Sequence, residues 1–170
     1  MTDKKKKNVQ IIPAQTELKR RTVNYAKGMD INLSPEQLME LEQVVQRSTD
    51  NFVRQIGSDL ADTRQLVIDA VKDNSKSAIA LQGCVDLAYS VKALGGTFQY
   101  PLMTQIAKSL ETFILDRSTA TKKQLLVMQL HIDALYVILA SRVTGFGSTV
   151  EQATIAALAK LAERYGDPRA

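Results

Sequence analysis

The chain has 170 residues, 45% of them apolar, 24% charged and 5% aromatic, which suits one domain able to bury a core without staples. One cysteine, Cys84, and one histidine, His131, exclude a disulfide framework and a Cys/His zinc cluster, and leave His131 as the only imidazole for nucleophile–histidine catalysis. The net charge of +4 is unevenly placed: residues 1–28 hold eight basic side chains and two acids (+6), the rest 14 basic and 16 acidic groups (−2), so the body offers no phosphate-tracking surface for nucleic acid.

Residues 1–28 read as a basic, flexible arm in which Lys4, Lys5, Lys6 and Lys7 are solvated. The stretch after them, Asn8 to Pro13, is too short and too polar for a signal peptide, and no window approaches a membrane-spanning length. These features predict a soluble cytoplasmic protein with no membrane attachment. Residues 29–170 then read as one all-α unit, because apolar residues recur at helical spacing and alternating, strand-like runs are few.

The first helix opens at Ser34-Pro35-Glu36-Gln37, where Ser34 can cap, Pro35 suits the first helical position and Gln37 can close a capping box. Leu38, Leu41, Val45 and Phe52 follow at helical spacing. Gly57-Ser58-Asp59 leaves open whether 34–73 is one helix or two. The next segment runs from about Lys76 to Leu94 with a stripe of Ala78, Leu81, Val85, Ala88, Val91 and Leu94, and Gly95-Gly96 is expected to end it in the left-handed conformation. A helix from Pro101 to about Asp116 carries Leu102, Ile106, Leu110 and Phe113. Another, Lys122 to Val143, has Leu125, Met128, Ile132, Leu135 and Leu139 on one face, and Val127, Ala134 and Ile138 widen it towards burial on two sides. Gly145-Phe146-Gly147 reads as a turn. Ser148 and Glu151 form a second capping box before a stripe of Val150, Ala153, Thr154, Ala157, Leu158, Leu161, Ala162 and Tyr165. The predicted architecture is an antiparallel, up-down four-helix bundle with an additional N-terminal segment.

One stretch says more than "helical". Ala88-Tyr89-Ser90-Val91-Lys92-Ala93-Leu94-Gly95-Gly96, then Leu102, Ala107, Leu110 and Glu111, resembles the histidine-containing phosphotransfer (HPt) domains of two-component phosphorelays. Ala88, Val91, Lys92, Gly96, Leu102, Ala107, Leu110 and Glu111 fall on that family's pattern. Tyr89 stands where the family has its phosphorylated histidine, Ala93 replaces a glycine, and Gln99 sits where a glycine is frequent. The resemblance implies an HPt-type bundle, a lysine, Lys92, that helps hold a phosphoryl group, and glycines that let a receiver domain approach.

The chemistry of the departures follows from acidity. Imidazole, with a pKa of about 6.5, is a largely uncharged nucleophile at neutral pH, whereas a phenol, at about 10, stays protonated and needs a base. Asp86 is the one carboxylate a turn ahead of Tyr89 on that face. An aryl phosphate is also far more inert than a phosphoramidate, so reversible transfer through Tyr89 is not expected. The spacing still places Gln82, Asp86, Tyr89, Lys92, Ala93 and Gly96 on one helix face, with Gln99 beyond it. Singly, Tyr89 is a surface aromatic, Lys92 a solvated lysine and Gly95-Gly96 a helix stop; the combination suggests a docking face.

His131, between Val127 and Leu135, reads as a hydrogen-bonded structural histidine, Cys84 as an apolar filler, and Phe98 and Tyr100 as packing over the bundle end. The expected function is a pseudo-phosphotransfer module that docks a response-regulator receiver domain or a histidine kinase without carrying phosphate. Two alternatives are an active phosphotransfer protein using His131, and a structural helical protein whose basic arm binds nucleic acid. No enzyme site assembles, since paired pocket carboxylates, metal-ligand spacing, a phosphate loop and a dinucleotide fingerprint are all lacking, and no cofactor, metal or small-molecule substrate is expected.

Overall fold

A computed structural model describes residues 34–166; the basic arm, 1–28, lies outside the described residues. The chain forms two units, Met1–Leu41 and Glu42–Ala170, and of the first the structure describes the opening turns of one helix. Five α-helices account for most of the described residues, which include no strand: α1 (Pro35–Lys72), α2 (Ser77–Leu94), α3 (Pro101–Ile114), α4 (Lys122–Ala140) and α5 (Thr149–Gly166), with a single 3₁₀ turn at Asn74–Lys76.

Helix starts follow the capping chemistry. The Ser34 amide donates to Gln37 Oε1 at 2.9 Å and the Gln37 amide returns a bond to Ser34 Oγ at 3.3 Å. Thr121 and Gln124 repeat this reciprocal box at α4. At α5 the Ser148 amide donates to Glu151 at 2.7 Å, and the hydroxyl bonds hold the Glu151 carboxyl below the usual range. Asp73 starts the 3₁₀ turn by accepting from the Ser75 hydroxyl at 2.7 Å and its amide at 3.1 Å, which lowers its pKa too.

α1 is one continuous helix of 38 residues. Gly57 does not break it, because neighbouring i to i−4 bonds carry the backbone through a residue that merely lacks a side chain. The core side of α1 is Phe52, Ile56, Leu60, Thr63, Val67 and Ala70. Leu38, Leu41 and Val45 extend the same spacing but are 48%, 50% and 64% exposed, so the expected stripe is covered only from Phe52 onward. Along its buried part α1 faces α2 and α4: Phe52 stacks on Phe98 at 4.6 Å, Leu66 abuts Gly83, and Arg64 Nε donates to Asp133 Oδ1 at 2.6 Å. α3 packs on α2, α4 and α5, and α5 also on α4. The core lies among α1–α4, where Leu102, Met103, Ile106, Leu110, Leu125, Met128, Ile132 and Leu135 are fully enclosed. Each such side chain contributes on the order of 1.5–3 kcal/mol of burial free energy.

Three assignments need correction. On α2 the core positions are Ala80, Leu81, Cys84, Leu87, Ala88 and Val91, whereas Ala78, Val85 and Leu94 face outward. α2 is apolar nearly all round, so periodicity leaves the phase of its stripe loosely set, and the polar pair Gln82 and Asp86 marks the outside better. On α5 only Leu158 is buried, with Ile155, Leu161, Ala162 and Tyr165 half-covered; Val150, Ala153, Thr154 and Ala157 are exposed because α5 meets just α3 and α4 along one edge. The third concerns Gly95, which is right-handed (φ −57°) and passes the chain into a further turn. A Cβ there would lie 2.7 Å from both the Val91 carbonyl and Thr104 Oγ1, so close packing demands this glycine. The left-handed residue is Gln99, at φ 65°.

α4, contrary to the sequence expectation, is long and apolar enough to cross a membrane by length and composition, but half of that window is buried within this fold. Its apolarity has a local cause: α3 and α5 pack against it, and Arg64 of α1 reaches its Asp133.

Candidate functional site

The outer side of α2 carries Gln82, Asp86, Tyr89 and Ala93, and the turn after it carries Gly96 and Gln99; all are exposed. The helix places them together because residues three and four apart share a face. Tyr89 is 72% exposed, and Val85, turned outward, adjoins it. Gln82 Nε2 donates to Asp86 Oδ1 at 2.9 Å, so the carboxylate is engaged along its own helix. Nothing lies within 4 Å of where a Cβ on Gly96 would sit.

Lys92 differs from its neighbours. It is half-buried, and its ammonium donates to Glu111 Oε2 of α3 at 2.5 Å. Glu111 thereby meets the charge on Lys92, and the pair ties α2 to α3. As a pair about one-third exposed it contributes at most about 1 kcal/mol. The face therefore presents an aromatic ring, small residues and one carboxylate, with its cation held at the edge. Its one carboxylate, Asp86, is engaged by Gln82 of the same helix.

Comparison of the chain with family models, with curated proteins and with solved structures gives no match.

His131 is fully enclosed. Its Nδ1 bonds the Val127 carbonyl at 2.8 Å and its Nε2 meets Ser109 Oγ of α3 at 3.1 Å. Burial lowers its pKa, partly opposed by the Val127 bond. Both nitrogens are engaged and the ring stacks near Phe113, with 6.3 Å between centroids, so no face is open to a phosphoryl donor. Cys84 is buried with its thiol pushed up to about 12 by desolvation, which makes it inert filler. Phe98 and Tyr100 close the end of the core against Phe52. Among the described residues no group of three His, Cys, Asp or Glu side chains could hold a metal.

The sequence reading missed Ser109 as the partner of His131. The signal was present: Ser109 interrupts the apolar spacing of Ile106 and Phe113, as His131 interrupts that of Val127 and Leu135. Two polar residues in facing apolar stripes are mutual partners by default.

Proposed function

We propose that the chain is a docking module of HPt type, a four-helix bundle of α1–α4 with α5 laid against α3 and α4. It binds a response-regulator receiver domain or a histidine kinase through the outer face of α2 and carries no phosphate at Tyr89. The observation supporting this most is the accessible line Gln82, Asp86, Tyr89, Ala93 and Gly96, which the chain's own core leaves uncovered at the place where the motif resemblance puts a phosphotransfer interface. The enclosure of His131 weighs against the reading in which that residue takes the phosphate.

Titration calorimetry against the receiver domains and histidine kinases of the same cell tests the reading. At least one partner should bind, and Ala93→Arg or Gly96→Arg should weaken it tenfold or more, about 1.4 kcal/mol. Both positions are exposed, so folding should survive and circular dichroism should be unchanged. Absence of binding by every receiver and kinase, or binding indifferent to both substitutions, overturns the proposal.

A further inference from the structure

Four helical hydroxyls in this chain bond back to their own helix. Ser48, Thr49, Thr112 and Thr154 each donate to the carbonyl four residues earlier, at 2.8–3.0 Å. Ser109 does not; its Oγ lies 3.1 Å from His131 Nε2 on α4. The direction of that bond is fixed by the other side of the ring. The Val127 carbonyl can only accept, so His131 Nδ1 carries the hydrogen and donates it. Nε2 then holds a lone pair, and the Ser109 hydroxyl is the donor.

A serine proton committed to imidazole, with the far nitrogen oriented by an acceptor, is the arrangement that activates a hydroxyl nucleophile. Exposure divides the roles. His131 is enclosed behind, while Ser109 is half-exposed and lines a cleft of about 550 Å³ between α3 and α5. Phe113, Ile155 and Ala159 give the cleft an apolar wall, and Lys108 brings a positive charge to its edge. Of the other charged groups lining it, Arg117 is occupied by the Phe113 and Gly166 carbonyls, and Glu163 is exposed.

We propose that Ser109 is a nucleophilic serine, with His131 as its base, that takes an acyl group from an ester bound in the α3–α5 cleft. The Ser109 Oγ–carbonyl carbon bond forms and the ester carbon–alkoxide bond breaks. The serine proton passes to His131 Nε2 and then to the departing alkoxide, which leaves as the alcohol, so nothing further is consumed. An apolar acyl chain fits the wall of Ile155 and Ala159. This assignment is independent of the docking face on α2.

The probes are p-nitrophenyl acetate and an alkyl fluorophosphonate, applied to the intact chain at pH 7.5. Mass spectrometry should find one adduct, mapped to Ser109 and absent from Ser109→Ala. A positioned base supplies about 10²-fold or more, so His131→Gln should slow labelling at least tenfold while circular dichroism shows the helices intact. Should that variant unfold, labelling of the wild-type chain in urea replaces it, and Ser109 should then react no faster than Ser75 or Ser118. The proposal is overturned if no adduct forms, if label goes to lysine or tyrosine instead, or if Ser109 reacts as fast without a folded His131 behind it.

Discussion

At the scale of single residues, His131 has the clearest thermodynamic consequence. Its ring is enclosed by Phe113, Ser109 and the Val127 carbonyl, with no carboxylate among these to stabilise a charge. Desolvation therefore lowers its pKa in the folded chain, whereas the unfolded chain titrates near the ordinary value of about 6.5. Below that value the unfolded state binds the proton first, so stability is full above about pH 6.5 and falls as pH drops toward the folded pKa. Asp73 and Glu151, whose pKa values are also lowered, act in a more acidic window because their ordinary carboxyl values lie near 4. Urea unfolding between pH 7.5 and 5 should show the midpoint falling in the wild-type chain. In His131→Gln, which cannot take up that proton, the midpoint should be lower at pH 7.5 yet nearly flat over the same range. A wild-type midpoint constant over that interval would contradict the burial argument. The residue scale also explains a miss. His131 was legible as a buried, hydrogen-bonded residue because it sits between apolar neighbours, but Ser109 lies 22 positions away, and pairing two interrupted stripes needs the helix order in space.

At the scale of the element, helix starts were the most legible feature, because a cap is local chemistry within four residues. Ser34 with Gln37 and Ser148 with Glu151 form their boxes as expected. Helix faces were less legible. α3 has a strongly one-sided pattern and its stripe of Leu102, Ile106, Leu110 and Phe113 is buried as read, whereas α2 lacks polar contrast, and of its expected stripe Leu81, Ala88 and Val91 are buried while Ala78, Val85 and Leu94 are exposed. That error touched the candidate site, since it counted Val85 as core although Val85 extends the exposed face beside Tyr89. Continuity of α1 through Gly57 was the undecided case. A Cβ there would meet only Leu139 Cδ2, at 3.9 Å, an ordinary contact. Gly57→Ala should therefore remove glycine's helix penalty without a clash and stabilise the chain by about 0.8–1 kcal/mol in denaturant unfolding. Destabilisation would mean that α1 draws on glycine's freedom at that point.

At the scale of the whole molecule, the distribution of cover along α1 is the property that single elements do not reveal. The spacing Leu38, Leu41, Val45, Phe52, Ile56 continues from an exposed stretch into the core, so the sequence pattern alone shows no boundary. The boundary is set by where partners exist: Phe52 finds Phe98 and Tyr100, and further on Arg64 finds Asp133. Residues 35–47 are exposed throughout. Local opening costs little where few apolar contacts are broken and approaches the global unfolding free energy where the core must open. Amide hydrogen exchange should accordingly divide α1, with the amides of residues 38–47 exchanging at least a hundredfold faster than those of 56–70, although both belong to one unbroken helix. A hundredfold corresponds to about 2.7 kcal/mol of local stability, less than the loss expected from uncovering two or three buried side chains such as Ile56 and Leu60. Uniform protection from residue 38 to residue 70 would mean that Leu38, Leu41 and Val45 are covered in solution.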